Sequence, residues 1–206
     1  MIKRLAIIGA SGHGKVIADI ARSLGCETIT FYDDRWKEIG ELYGYPVLGN
    51  VASASQDATT NYDVSIVAIG NAKKRAAIQQ RLASVSSALV HPSAVVSPSV
   101  RLGKGSIVMP NAVINADVVI GEGVIVNSGA VVEHDCLVGD YSHICPNATL
   151  AGGVRVGCFS WIGMGSSVIQ LVKIGDDVTV GAGSVVIRNV GDKQTIVGSP
   201  AALIKR

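Results

Sequence analysis

Large aromatic side chains are scarce in this chain: two Trp, two Phe and five Tyr make up 4% of its 206 residues. A core held by a few big rings is therefore excluded, and the apolar 48% must pack mainly as Val, Ile and Ala. Such small and β-branched side chains suit strands. Charge is also sparse, at 17%, and 18 basic against 16 acidic residues leave a net charge of +2. Without a basic stripe or an aromatic platform, no nucleic-acid partner is expected. Four cysteines, Cys26, Cys136, Cys145 and Cys158, form no C-x-x-C pair and have no histidine at zinc spacing. No metal is expected. The first apolar run, Ile2–Gly9, is too short to span a bilayer, and no export signal precedes it. Free thiols and that lack of a leader point to the cytoplasm, with no membrane partner.

What is present divides into two halves with different periods. In the first, Leu5–Ile8 reads as a strand, followed by Gly9-Ala10-Ser11-Gly12-His13-Gly14 and a helical pattern from Lys15 to Leu24. Thr28–Tyr32 is a second strand ending in Asp33-Asp34; Val64–Ile69 is a third, ending in Gly70-Asn71. Lys73–Leu82 is helical again. Alternating strands and helices predict a small α/β, Rossmann-like domain over residues 1–88.

Residues 89–206 carry a different signal. From Val96 through Leu102, Val108 and Ile114 to Val180 and Val186, an aliphatic residue recurs every six positions without a gap. Glycine often follows it, as at Gly103, Gly121, Gly139, Gly157 and Gly175. Six matches neither the helical nor the strand period. It matches a left-handed parallel β-helix, with three short strands per 18-residue coil and about five coils. Glycine at the corners is read as permitting the turns. Thr195–Arg206 departs from the repeat and is expected to pack back on the β-helix or on a neighbouring chain.

Two places concentrate chemistry. Glu133-His134-Asp135 falls at a β-helix corner, where a carboxylate can orient the imidazole and raise its basicity. One coil further on lies Gly152, which leaves space above the histidine and offers a backbone N–H to an oxyanion. His143 is half a coil from His134, on another side of the triangle. Cys136 reads as a packing residue. In the first domain, the glycine-rich turn makes an anion cradle at a helix N-terminus. Its spacing is G-x-x-G-x-G, not the dinucleotide pattern, so a nucleotide diphosphate fits better than NAD. Lys15 adds positive charge, and Asp33 and Asp34 sit where an acid meets a ribose or base edge.

With Gly9-Ala10-Ser11-Gly12-His13-Gly14, Asp33-Asp34, Ile69-Gly70-Asn71, Glu133-His134-Asp135, Ser142-His143 and Gly198-Ser199-Pro200-Ala201, the chain resembles the bacterial nucleotide-sugar acyltransferases of the PglD/NeuD type over its whole length. The resemblance implies acetyl-CoA as donor and the amine of a UDP-linked 4-amino-sugar as acceptor. His134 would be the base, with Asp135 raising its basicity; Asp135 is one methylene shorter than the Glu found there in other members. Ser11, Gly12, His13, Asp33, Asp34 and Asn71 would hold the nucleotide-sugar. His143 and Gly152 would meet the thioester, and Met164 and Ala182, one coil apart, the pantetheine arm. A homotrimer with sites between subunits is expected. Three other readings compete: O-acetylation of a sialic acid or related sugar, a β-helical metalloenzyme of the carbonic-anhydrase type, and a non-catalytic sugar-binding protein. Only three histidines meeting at an interface would support the metalloenzyme, and His91 lies before the repeat.

Overall fold

A computed structural model describes residues 2–57 and 61–204. It divides into two compact units, Met1–Pro92 and Ser93–Arg206.

The first unit is a five-stranded sheet. Its elements in chain order are β1 (Arg4–Ile8), α1 (Gly12–Ser23), β2 (Thr28–Tyr32), α2 (Trp36–Ile39), β3 (Glu41–Leu42), β4 (Tyr45–Gly49), α3 (Val51–Asp57), β5 (Val64–Val67) and α4 (Ala72–Gln79). The spatial order is β3-β4-β2-β1-β5, with β4, β2, β1 and β5 parallel and β3 antiparallel at the edge. The central strands read as continuous apolar runs because both faces are covered: Leu5, Ala6, Ile7 and Ile8 are fully buried. β1, β2 and β5 are the strands that the apolar runs predict. Between Trp36 and Asp57, α2, β3, β4 and α3 carry no sustained period.

The second unit is a left-handed parallel β-helix of two-residue strands. One sheet stacks Val95–Val96, Val113–Ile114, Val131–Val132, Thr149–Leu150, Ser167–Val168 and Val185–Val186. A second stacks Arg101–Leu102, Val119–Ile120, Leu137–Val138, Arg155–Val156 and Lys173–Ile174. The third contains Ile107–Val108, Ile125–Val126, His143–Ile144, Trp161–Ile162 and Thr179–Val180. Partners lie one 18-residue coil apart, as Val113 with Val131 and Ile125 with His143. The second residue of each strand points inward; Val108, Ile114, Val126, Val132, Ile144, Leu150, Ile162 and Val180 are all 0% exposed. Each such side chain contributes about 1.5–3 kcal/mol on burial, so the repeat itself is the core.

Two expectations change in detail. The glycines following the aliphatic residue keep ordinary φ angles; what they provide is clearance between coils. A Cβ on Gly139 would lie 2.6 Å from Cys158 N in the coil above. The positive-φ turns fall instead on residues such as Asn111, Asp117, Asp135 and Gly153. At the C-terminus, Thr195–Gly198 does not leave the ladder: Thr195 pairs in parallel with Thr179. The chain then reverses, and Ala201–Leu203 pairs antiparallel to it.

Candidate active site

His134 sits in the corner after the first sheet. The coil raises it there because Val132 points inward and Asp135 takes a left-handed φ of 61° that turns the chain. Asp135 N donates to Ala116 O of the coil below, and Gly153 N of the coil above donates to His134 O at 2.9 Å. His134 Nδ1 lies 2.7 Å from Asp135 Oδ2, so the shorter acid still reaches the ring. A carboxylate only accepts, which places the proton on Nδ1 and the free lone pair on Nε2. The Asp135 bond is the main reason the imidazole pKa is raised above its ordinary value; partial desolvation opposes it, and the charges of Asp135 and Glu133 add to it. Glu133 is held by Asn115 Nδ2 at 2.8 Å.

Above the ring is the predicted gap. A Cβ on Gly152 would come within 2.7 Å of His134 Nε2, so glycine there is what leaves Nε2 open. Among the described residues, Gly152 N–H meets no acceptor. An open imidazole nitrogen and an unused backbone donor therefore lie at the same corner. Cys136, next along the chain, is fully buried and its thiol donates to Ala151 O; burial pushes its pKa up to about 11. It is a packing residue, as expected.

The first unit has its own cleft, of about 650 Å³, at the carboxyl ends of β1, β2 and β5. Gly9, Asp33, Asp34, Arg35, Val51, Ala52, Ser55, Ile69, Lys74, Ile78 and Arg81 line it. Asp33 Oδ2 accepts from Ala10 N at 2.9 Å and Oδ1 from Arg35 N at 3.0 Å. Asp34 Oδ1 accepts from Val51 N at 3.2 Å. The acids thus shape the cleft as well as line it. Gly9 is required by a φ of 114° and by contact with Ala68 O; Gly14 is required because Gly9 O and Phe31 lie against it. Gly12 opens α1 with nothing within 4 Å of a Cβ.

Two family models match the chain: the PglD N-terminal domain over residues 4–82, and the bacterial transferase hexapeptide (six repeats) over residues 117–152. Among solved structures, the acetyltransferase domain of PglB from Neisseria gonorrhoeae FA1090 is 40% identical, covering 98% of this chain and 100% of that one, with a TM-score of 0.91. The chain belongs to the PglD/NeuD-type hexapeptide acyltransferases. A further member is the GDP-perosamine N-acetyl transferase from Caulobacter crescentus, solved as a histidine-to-alanine mutant with CoA and GDP-perosamine. It is 38% identical, covers 100% of this chain and 99% of its own, and has a TM-score of 0.93. WeeI from Acinetobacter baumannii AYE is 26% identical, with a TM-score of 0.84 over 98% of this chain and 100% of its own. No curated protein sequence matches.

Within the acyltransferase chain the expected residues fall into groups. His134, Asp135 and Gly152 meet at one corner. His143 lies on the third sheet, where Asn127 Nδ2 is 2.9 Å from its Nε2. Met164 and Ala182 stack at the corner that follows that sheet, both exposed. The first sheet separates this second group from His134, so one chain alone does not bring them together. In the first unit, Asp33 and Asp34 line the cleft. Asn71 adjoins it through Lys74, whose N–H its Oδ1 accepts at 3.0 Å to cap α4. Ser11, Gly12, His13 and Lys15 lie on the opening turn of α1, outside the lining. Burial and the charge of Arg75 hold the His13 pKa down at about 4, so the ring is neutral. Two further cations line the cleft, Lys74 on α4 and Arg81 in the turn just after it; with Ile78 they recur in the sequence at spacings of four and three. No described helix is long and apolar enough to cross a membrane.

Proposed function

We propose that the protein transfers the acetyl group of acetyl-CoA to the amine of a nucleotide-linked amino-sugar. The observation that carries this reading is the His134 Nε2 lone pair facing open space over Gly152, with Asp135 on the far side of the ring. The acceptor amine, in its neutral form, attacks the thioester carbonyl; a C–N bond forms as the C–S bond breaks. His134 takes the amine proton and returns it to the departing CoA sulfur. The Gly152 N–H donates to the oxyanion of the tetrahedral intermediate. No covalent enzyme intermediate is required, because a neutral amine is already a competent nucleophile.

The cleft of the first unit is assigned to the nucleotide, with Asp33 and Asp34 toward ribose or base and Lys74 and Arg81 available to a diphosphate. The proposed acceptor is a UDP-linked 4-amino-sugar. GDP is the second reading, favoured by the C. crescentus relative bound to GDP-perosamine. A panel of UDP-, GDP-, dTDP- and CMP-linked amino-sugars with acetyl-CoA, read by thiol release and mass spectrometry, tests both. An amide product from one diphosphate sugar is expected. An O-linked acetyl group, or no turnover with any member, would overturn the reading.

The separated groups also favour a homotrimer. Outward positions on the first sheet are Val95, Val113, Val131, Thr149, Ser167 and Val185, all uncharged, whereas the second sheet presents Arg101, Arg155 and Lys173. Packing first sheets around a threefold axis covers the uncharged face and brings the His134 corner of one chain beside the Met164–Ala182 corner of the next. Light scattering should give three times the 21.3-kDa chain mass. A fully active monomer would refute the shared site.

A further inference from the structure

The corner that carries His134 changes character from coil to coil. Reading along it, Asn115 and Asp117 are followed by Glu133 and Asp135, then Ala151 and Gly153, then Ile169 and Leu171, with Ile187 beyond. Charge on one side of the Gly152–Gly153 notch gives way to aliphatic surface on the other. Ile169, Leu171 and Ile187 are 38%, 74% and 40% exposed.

Leu171 is the least expected of these. Its φ is 63°, in the left-handed region where the equivalent positions below hold Asp117, Asp135 and Gly153. A bulky residue is costly there. The other large side chains in such turns of the β-helix are accounted for: Tyr141 and Phe159 stack on each other at 5.6 Å, and Lys193 extends into solvent. Among the described residues Leu171 has no comparable return. Yet its position is defined: Leu171 N donates to Gly152 O at 3.0 Å, and a Cβ on Gly153 would lie 2.8 Å from Leu171 Cδ2. The side chain therefore rests over the notch beside the unbonded Gly152 N–H. Backbone strain that persists at an exposed position beside a reactive centre points to a functional constraint.

We propose that Leu171, backed by Ile169, is the wall against which the alkyl part of the acyl group rests, and that it limits the donor to short acyl chains. This rests on the acyl-transfer reading above. With the carbonyl oxygen at Gly152 N–H, the amine near His134 and the CoA sulfur directed toward the neighbouring chain's Met164–Ala182 corner, the one substituent of the carbonyl carbon left to place is the alkyl group. An aliphatic ledge next to the notch matches it. A methyl fits beneath a leucine; a propyl chain meets it.

The test compares acetyl-CoA with butyryl-CoA for the wild-type protein, Leu171→Ala and Leu171→Gly, using the acceptor identified by the panel. One or two methylenes in an apolar pocket are worth roughly 10-fold or more in selectivity. The butyryl-to-acetyl ratio of kcat/KM should therefore rise by about 10-fold in both variants. Leu171→Gly should not lower Tm, because glycine tolerates the positive φ. If the ratio stays within 2-fold while acceptor KM rises, the ledge faces the sugar and the proposal fails. If light scattering shows the assembly changed and the ratio unaltered, the ledge is a subunit contact and the proposal also fails. A wild-type protein that releases no thiol from any CoA ester would instead defeat the acyl-transfer reading itself, which separates the two failures.

Discussion

The two units present functional groups in opposite ways. In the α/β unit, candidate ligand groups are already engaged: Asp33 accepts from two backbone amides, Asp34 from Val51 N, and Asn71 caps α4. In the β-helix, His134 touches the protein through Asp135 and its own backbone, and Nε2 is left open. Side chains in the first unit serve shape and recognition together. In the second, the repeating backbone supplies the shape, and one corner can be given over to chemistry. Substitutions should consequently disturb both stability and binding in the first unit, and one or the other in the second.

The largest effect expected of this contrast is at His134. His134→Ala should lower kcat by roughly 10²–10⁴-fold. Its Tm should stay near wild type, since the side chain is 62% exposed. Wild-type turnover in that variant would remove His134 as the base. Next come Asp33→Ala and Asp34→Ala, each expected to raise acceptor KM about 10-fold, the value of one hydrogen bond to a charged group. Acetyl-CoA affinity should be unchanged. Unlike His134→Ala, Asp33→Ala should also lower Tm, because the Ala10 and Arg35 amides lose their acceptor. Weaker acetyl-CoA binding would mean that the two ligands have been assigned to the wrong units.

Asp135→Asn probes the tuning of the base. The folded-state pKa of His134 lies above its ordinary 6.5, chiefly through the Asp135 hydrogen bond. Imidazolium cannot accept a proton, so with His134 as the base activity should fall as pH drops through that raised value. Replacing the carboxylate should move the acidic limb of kcat/KM to lower pH and reduce kcat by roughly 10-fold. A limb that does not move would show that another group sets it. The smallest change in activity, but a clear one in stability, is predicted for Gly139→Ala. Its Cβ would press on backbone of the next coil, costing about 1–3 kcal/mol. Tm should drop by roughly 2–10 °C, with kinetic constants unaltered.

The β-helix was legible in the sequence because every inward position from Val96 to Val186 needs the same kind of side chain, so the fold writes its period into the chain. The pairing of His134 with Gly152 was legible for the same reason: eighteen residues is one coil. Glycine's role at Gly139 was misread, since a period shows that a small residue is needed but not whether φ or clearance demands it. The stretch from Trp36 to Asp57 shows no such pattern: β4 (Tyr45–Gly49) contains a proline and a glycine and is not a continuous apolar run, and α2, β3 and α3 are only two to seven residues long. The pairing of Lys74 with Arg81 needed the cleft before it could be seen. Leu171 looks like any other leucine until its φ is known.

The antiparallel turn at the end of the third sheet bears on solubility. A parallel ladder built from identical rungs has no intrinsic last rung: the amides that receive one coil are equally ready to receive a coil of another molecule. By reversing direction, Ala201–Leu203 occupies the outer edge of Thr195–Gly198 with a strand of the wrong polarity for further stacking. On that side the chain supplies its own terminator, and end-to-end polymerisation finds no matching template there.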